Sequence, residues 1–90
     1  MTSGNSIEVR FYTRAGCRLC EAAYTLVRSL TDRYPIELSV LDVDGDPDLA
    51  SRYGQDVPVV EVRSPRGEKT FRHRLEPDAF ETEIRRLWNT

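Results

Sequence analysis

Tyr12-Thr-Arg-Ala-Gly-Cys17-Arg-Leu-Cys20-Glu21 holds both cysteines of the chain, three residues apart, where one hydrophobic period gives way to another. Upstream, Ile7-Glu-Val-Arg-Phe-Tyr12 alternates apolar with charged residues and ends in two aromatics, which predicts a strand with one well-buried face. Downstream, Leu19, Ala22, Ala23, Leu26, Val27 and Leu30 recur at three- and four-residue steps. They predict a helix over residues 18–34 with one core-facing stripe, stopped by Pro35. A thiol at the start of a helix faces unpaired backbone N–H groups and the positive end of the helix dipole, and both favour thiolate. A second thiol one turn on can close a disulfide with the first. Reversible dithiol–disulfide exchange is therefore the leading expectation.

Outward from this stretch, Ile36-Glu-Leu-Ser-Val-Leu-Asp-Val43 predicts a second strand. Asp46-Pro47 has the form of an N-cap followed by proline at the first helical position, with Leu49, Ala50 and Tyr53 inward and Gly54 at the end. Strands follow at residues 57–62 and 68–73, and Ser64-Pro-Arg-Gly67 between them predicts an antiparallel hairpin. A last helix begins at Pro77, with Leu75 and Phe80 as a hydrophobic staple and Phe80, Ile84, Leu87 and Trp88 as its apolar stripe. The order β-α-β-α-β-β-α implies a βαβ unit with parallel strands and a right-handed crossover. The fold class is α/β: one four-stranded mixed sheet with helices on both faces.

Ninety residues suffice for one small core, and 39% hydrophobic with 31% charged residues fits a soluble globular chain. A net charge of −2 argues against a general nucleic-acid binder. No apolar run approaches the roughly 20 residues that cross a bilayer, so no membrane partner is expected. Met1-Thr-Ser-Gly-Asn-Ser6 lacks the basic and apolar regions of a signal peptide and is expected to be a disordered lead-in, residues 1–6, before a domain over 7–90. The expected location is the cytoplasm, where a purely structural disulfide is unusual.

The element order, Phe11-Tyr-Thr-Arg-Ala-Gly-Cys17-Arg-Leu-Cys20-Glu21, the Leu41-Asp-Val-Asp-Gly-Asp-Pro47 stretch and Val57-Pro58-Val59 together resemble the thioredoxin-fold superfamily. More narrowly the chain is similar to the glutaredoxin-like family of small bacterial proteins. That resemblance covers nearly the whole chain after residue 6 and implies a thioredoxin fold, a redox-active disulfide and a small electron-carrying oxidoreductase. There are departures. Arg18 and Leu19 stand between the cysteines, where glutaredoxins usually carry a proline, and Ala15 stands where members of the family often have proline. The Gly-Gly and acidic residues that many glutaredoxins use for glutathione have no clear counterpart after Val62.

Cys17 is the candidate nucleophile and Cys20 the resolving thiol. Arg14 and Arg18 are candidates for Coulombic support of the thiolate or for contact with substrate, unless they simply point into water. Tyr12 is a candidate groove residue, although aromatics at strand ends are more often core. The resemblance implies a cis Val57–Pro58 bond facing the cysteines, with the Val57 backbone offered to substrate; the residues alone equally allow a trans proline at the start of an edge strand. No bound cofactor is expected. Glutathione is the candidate reductant, with a flavoprotein reductase as the other source of electrons. The partner is a disulfide-containing protein or a low-molecular-weight thiol, and the chain is expected to be a monomer.

Other readings of the same residues compete. Zinc needs four ligands, and only His73 and carboxylates accompany the two cysteines. Asp42-x-Asp44-x-Asp46 imitates a calcium loop but puts Pro47 where glycine is required and Tyr53 where the bidentate glutamate belongs. Arg63, Arg66, Lys69, Arg72, His73 and Arg74 make the hairpin basic, either as a charged edge or as a docking patch for an acidic partner. The alternative function is a binding module of the same fold, for a protein partner or a metal or Fe–S centre, without redox turnover.

Overall fold

The computed structural model describes residues 6–88. It contains strand β1 (Ile7–Thr13), helix α1 (Arg18–Leu30), strand β2 (Ile36–Asp42), a 3-10 turn (Val43–Gly45), helix α2 (Pro47–Tyr53), strands β3 (Val59–Ser64) and β4 (Gly67–Arg72), and helix α3 (Pro77–Trp88). The sheet order is β2-β1-β3-β4. β1 runs parallel to β2 and antiparallel to β3, and β3 and β4 form the antiparallel hairpin, with Ser64 opposite Gly67. The sheet is mixed and four-stranded, as the sequence implies. The proposed lead-in, apart from Ser6, and the last two residues of the proposed domain lie outside the described residues.

Alternation along β1 divides the core. Ile7, Val9 and Phe11 project to one face, with Val60 and Val62 of β3. Cys20, Ala23, Val27 and Leu30 of α1 and Phe80, Ile84 and Leu87 of α3 close over them. Leu75 packs against the same cluster, as a staple residue ahead of α3 does. On the opposite face Tyr12, Val43 and Val59 make a smaller cluster, covered by Leu49 and Tyr53 of α2. Each fully buried Val, Leu, Ile or Phe contributes about 1.5–3 kcal/mol of transfer free energy, so the larger cluster supplies most of the driving force.

Four details differ from expectation. α1 ends at Leu30 rather than near Tyr34: Thr31 caps it, its hydroxyl donating to the Arg28 carbonyl at 2.7 Å. Tyr34 is needed elsewhere, its ring edge-on to Trp88 at 5.3 Å and its hydroxyl donating to Glu81 at 2.8 Å. The buried stripe of α1 includes Cys20 and leaves Leu19 and Ala22 exposed, because Cys20 occupies the inward position that Leu19 was expected to take. Val43 leaves β2 for the 3-10 turn, where it fills the second cluster, and the Asp42 carboxylate caps the turn by accepting from the Asp44 N–H at 2.9 Å. β3 begins at Val59 rather than Val57, after a Val57–Pro58 peptide bond that is cis.

Candidate functional site

β1 and β3 are antiparallel, so the end of one lies beside the start of the other, with Tyr12 opposite Val59. The loop leaving β1 and the loop entering β3 therefore meet at one edge of the molecule. The first carries Cys17 and the second carries Pro58. Gly16 makes the first loop possible: its φ of +76° lies in the left-handed region that glycine enters without steric cost. The chain then turns into α1 with Cys17 as N-cap.

Cys17 is half-buried, whereas Cys20 is 2% exposed and belongs to the core. The two sulfurs are bonded as a disulfide, with Cα atoms 5.2 Å apart. The Cys20 N–H donates to Cys17 Sγ at 3.1 Å, so the sulfur occupies the place of a helix-capping acceptor. In the dithiol that place favours a thiolate at Cys17, because an orphan N–H and the helix dipole both stabilise negative charge there. Cys20 lies deeper and gains no such partner. The two thiols are thus unequal by position.

The second loop, residues 54–58, is held through Gly54, Asp56 and Pro58. The Gly54 carbonyl accepts from Arg14 Nη1 at 2.7 Å, and the Asp56 N–H donates to the Tyr53 carbonyl at 2.8 Å. The His73 N–H is shared between the carbonyls of Asp56 (3.1 Å) and Pro58 (2.9 Å). His73 reaches both with a φ of +63°, a conformation that is uncommon for a residue with a Cβ. The Asp56 carboxylate accepts from Arg72 at 2.9 Å and lies 3.3 Å from His73 Nε2. Among the described residues, the Val57 N–H and C=O have no partner, and neither do those of Gln55.

A shallow groove of about 420 Å3 opens at the disulfide and runs between α1 and β2. Phe11, Thr13, Cys17, Cys20, Tyr24 and Val40 form much of its lining. Tyr24 and Val40 are 40% and 51% exposed, and Phe11 meets the Tyr24 ring edge-on at 5.9 Å. A second depression of about 400 Å3 lies over Glu8, Arg10, Glu61 and Arg63 on the opposite face. Four of its charges pair, Arg10 with Glu8 and Arg63 with Glu68, each at 3.3 Å, and it contains no cysteine.

The residues singled out in sequence are distributed unevenly around the cysteines. Arg18 is exposed and makes no ion pair among the described residues. Arg14 lines the groove, but its guanidinium is held by both oxygens of Asp44, at 2.7 and 3.3 Å. That hydrogen bond lowers the Asp44 carboxyl below its usual range and raises Arg14. Tyr12 turns to the other side of β1, 4% exposed, with its ring stacked on Tyr53 at 4.3 Å. Its hydroxyl donates to Glu61 at 3.0 Å, and burial together with that carboxylate raises its pKa. Val57 is half-buried between the two clusters and Pro58 is buried. Part of the basic hairpin is neutralised by Glu68 and Asp56. No group of three or more His, Cys, Asp or Glu side chains among the described residues comes together as a metal site. No described helix is long and apolar enough to cross a membrane.

Sequence reasoning missed Asp44, Gly54, Asp56, His73, Tyr24 and Val40. Tyr24 carries a readable signal, being an aromatic left off the predicted core-facing stripe of its helix, whereas Val40 carries none within its predicted strand. The others act through contacts between segments far apart in the chain, which leave no local pattern.

Residues 8–85 match the family model described as Glutaredoxin-like domain (DUF836). The chain is 30% identical over 79 residues to the "Glutaredoxin-like protein YDR286C homolog" of Dictyostelium discoideum, covering 81% of this chain and 70% of the relative. Among solved structures, it is similar to a protein of Nitrosomonas europaea at 28% identity and a TM-score of 0.67, covering 87% of this chain and 91% of the other. A mutant thioredoxin from Halobacterium salinarum superposes with a TM-score of 0.77 at 20% identity, over 93% of this chain and 76% of its own. The last likeness establishes the thioredoxin fold.

Proposed function

The chain belongs to the glutaredoxin-like domain family, and from that premise we propose that it is a small thiol–disulfide oxidoreductase in which Cys17 attacks and Cys20 resolves. The observation that carries the proposal is the capping position of Cys17 Sγ, 3.1 Å from the Cys20 N–H and bonded to Cys20. Activation and resolution are supplied by the same turn of helix.

The Cys17 thiolate attacks one sulfur of a substrate disulfide, forming a mixed disulfide and expelling the other sulfur as a thiolate. Cys20, deprotonated as it reacts, then attacks Cys17 Sγ. The substrate's second sulfur leaves as a thiolate, and the Cys17–Cys20 bond closes. Two electrons have passed from the protein to the substrate, whose thiolates take protons from water. The unpaired Val57 N–H and C=O, beside the cysteine loop, offer an extended substrate segment the hydrogen bonds of a short strand. The exposed Arg18 supplies positive charge to the thiolate that leaves. No bound cofactor enters the exchange. Two electrons from glutathione, or from a flavoprotein reductase, restore the dithiol, and the reducing cytoplasm is the compartment that suits this cycle. The chain works as a monomer on disulfide-bearing proteins or low-molecular-weight disulfides.

Two measurements test the proposal. Reduction of a mixed disulfide is followed separately with glutathione and with thioredoxin reductase as electron source; turnover with one of them is expected, and none with either contradicts it. Cys20→Ser is expected to accumulate a mixed disulfide at Cys17. Partner binding indifferent to loss of both cysteines would instead favour a docking module.

A further inference from the structure

Two loops 40 residues apart must be held at a fixed separation if a substrate strand on Val57 is to bring its disulfide to Cys17. Arg14 lies three residues before Cys17, and its Nη1 donates to the Gly54 carbonyl at 2.7 Å, three residues before Val57. The same guanidinium is fixed from behind by Asp44, through Nη2 at 2.7 Å and Nε at 3.3 Å. Asp44 is itself set by the 3-10 turn, whose cap is Asp42. Gly54 suits this role because its backbone closes tightly on α2: a Cβ there would sit 2.5 Å from the Ala50 carbonyl oxygen.

We propose that Arg14 is a positioning residue, strapping the cysteine loop to the loop of Val57, and that Asp44 is the anchor that aims it. The acidic run Asp42-x-Asp44-x-Asp46 then has an assignment that is not metal binding: Asp42 caps the turn, Asp44 aims Arg14, and Asp46 caps α2 by accepting from the Asp48 N–H at 2.9 Å. The inference rests on the redox reading above for its consequence, but the strap itself is a matter of geometry. Both ends of the Arg14–Asp44 pair are partly exposed, so its contribution is alignment more than stability. A guanidinium engaged this way has its charge balanced by Asp44, so it acts on reaction geometry rather than on the Cys17 thiol.

The test uses Arg14→Lys, Arg14→Gln and Asp44→Asn in the full chain. Insulin reduction with dithiothreitol as electron donor gives KM and kcat, and the pH dependence of iodoacetamide alkylation gives the Cys17 thiol pKa. Misplacing the docking backbone is expected to raise KM for insulin about tenfold in all three variants, with kcat changed less than about threefold. The alkylation pKa stays at the wild-type value. An electrostatic role for Arg14 predicts otherwise: Arg14→Lys keeps the wild-type profile, Arg14→Gln raises the thiol pKa, and Asp44→Asn lowers it by freeing the cation. That pattern overturns the proposal, as does an unchanged KM in Asp44→Asn. Backbone amide chemical shifts provide a readout independent of turnover. Asp44→Asn is expected to shift Ala15 and Gly16 together with Gly54 and Val57, and shifts confined to residues next to Asp44 contradict the strap. Wild-type protein inactive on insulin, with the paired shifts intact, would count against the redox reading and leave the strap standing.

Discussion

One face of the sheet is covered along its length, by α1 and α3 over Ile7, Val9, Phe11, Val60 and Val62, whereas the other is covered only where α2 crosses Tyr12 and Val59. Beyond α2 the second face is a mosaic of Glu8, Arg10, Glu61 and Arg63 open to water. The partial cover lies at the end of β1 from which the cysteine loop departs. There Phe11 and Tyr12 bury opposite sides of the same strand. The first face supplies stability, and the second adds rigidity where two loops must be kept in register. A small α2 is enough for that task, since it carries Gly54 and leads directly to Val57.

The comparison ranks the effects of substitution. Phe80→Ala, in the fully covered face, is expected to cost about 3–5 kcal/mol in denaturant unfolding, and a cost below about 1 kcal/mol would show that this face is not the main store of stability. Tyr12→Phe keeps the ring under α2 and removes one of the two hydroxyls that bond Glu61. Its expected cost is about 1 kcal/mol. Asp46→Ala removes the cap of α2 and is expected to cost about 1 kcal/mol while broadening the amide resonances of the 54–58 loop. Glu8→Gln, on the open part of the second face, is expected to change stability by less than about 0.5 kcal/mol.

The pH dependence reports on two contacts on the side of α2. Tyr12 has a raised pKa, so its contribution is complete below the ordinary tyrosine value and is lost as pH climbs through the higher folded value. Asp44 has a lowered pKa, so its contribution is complete above the ordinary carboxylate value and is lost as pH falls through the lower folded one. Tyr12→Phe is therefore expected to flatten the alkaline limb of the unfolding-stability profile, and Asp44→Asn the acid limb.

Most of this arrangement can be read from local pattern. Strand alternation at residues 7–12, the Asp46-Pro47 start of α2 and the Pro65–Gly67 hairpin each state their structure within a few residues. The registration of α1 was harder, because Cys20 reads as chemistry when it is also core. Its end was harder still: Tyr34 leaves the helix to meet Trp88 and Glu81, partners about fifty positions away. The reactive spacing is visible at once, whereas the strap from Arg14 to Asp44 and Gly54 is a tertiary fact with no trace in spacing. The cis Val57–Pro58 bond is implied by the family likeness alone, since the residues themselves allow either isomer.

The most direct test of the central claim, that Cys17 and Cys20 are unequal by position, is alkylation of the fully reduced protein by iodoacetamide, resolved by residue across pH. The account predicts that Cys17 reacts far faster near neutral pH, with an apparent pKa well below the free-cysteine value of about 8.5, while Cys20 is protected. Equal rates at the two residues, both at the pace of an unactivated thiol, would contradict it.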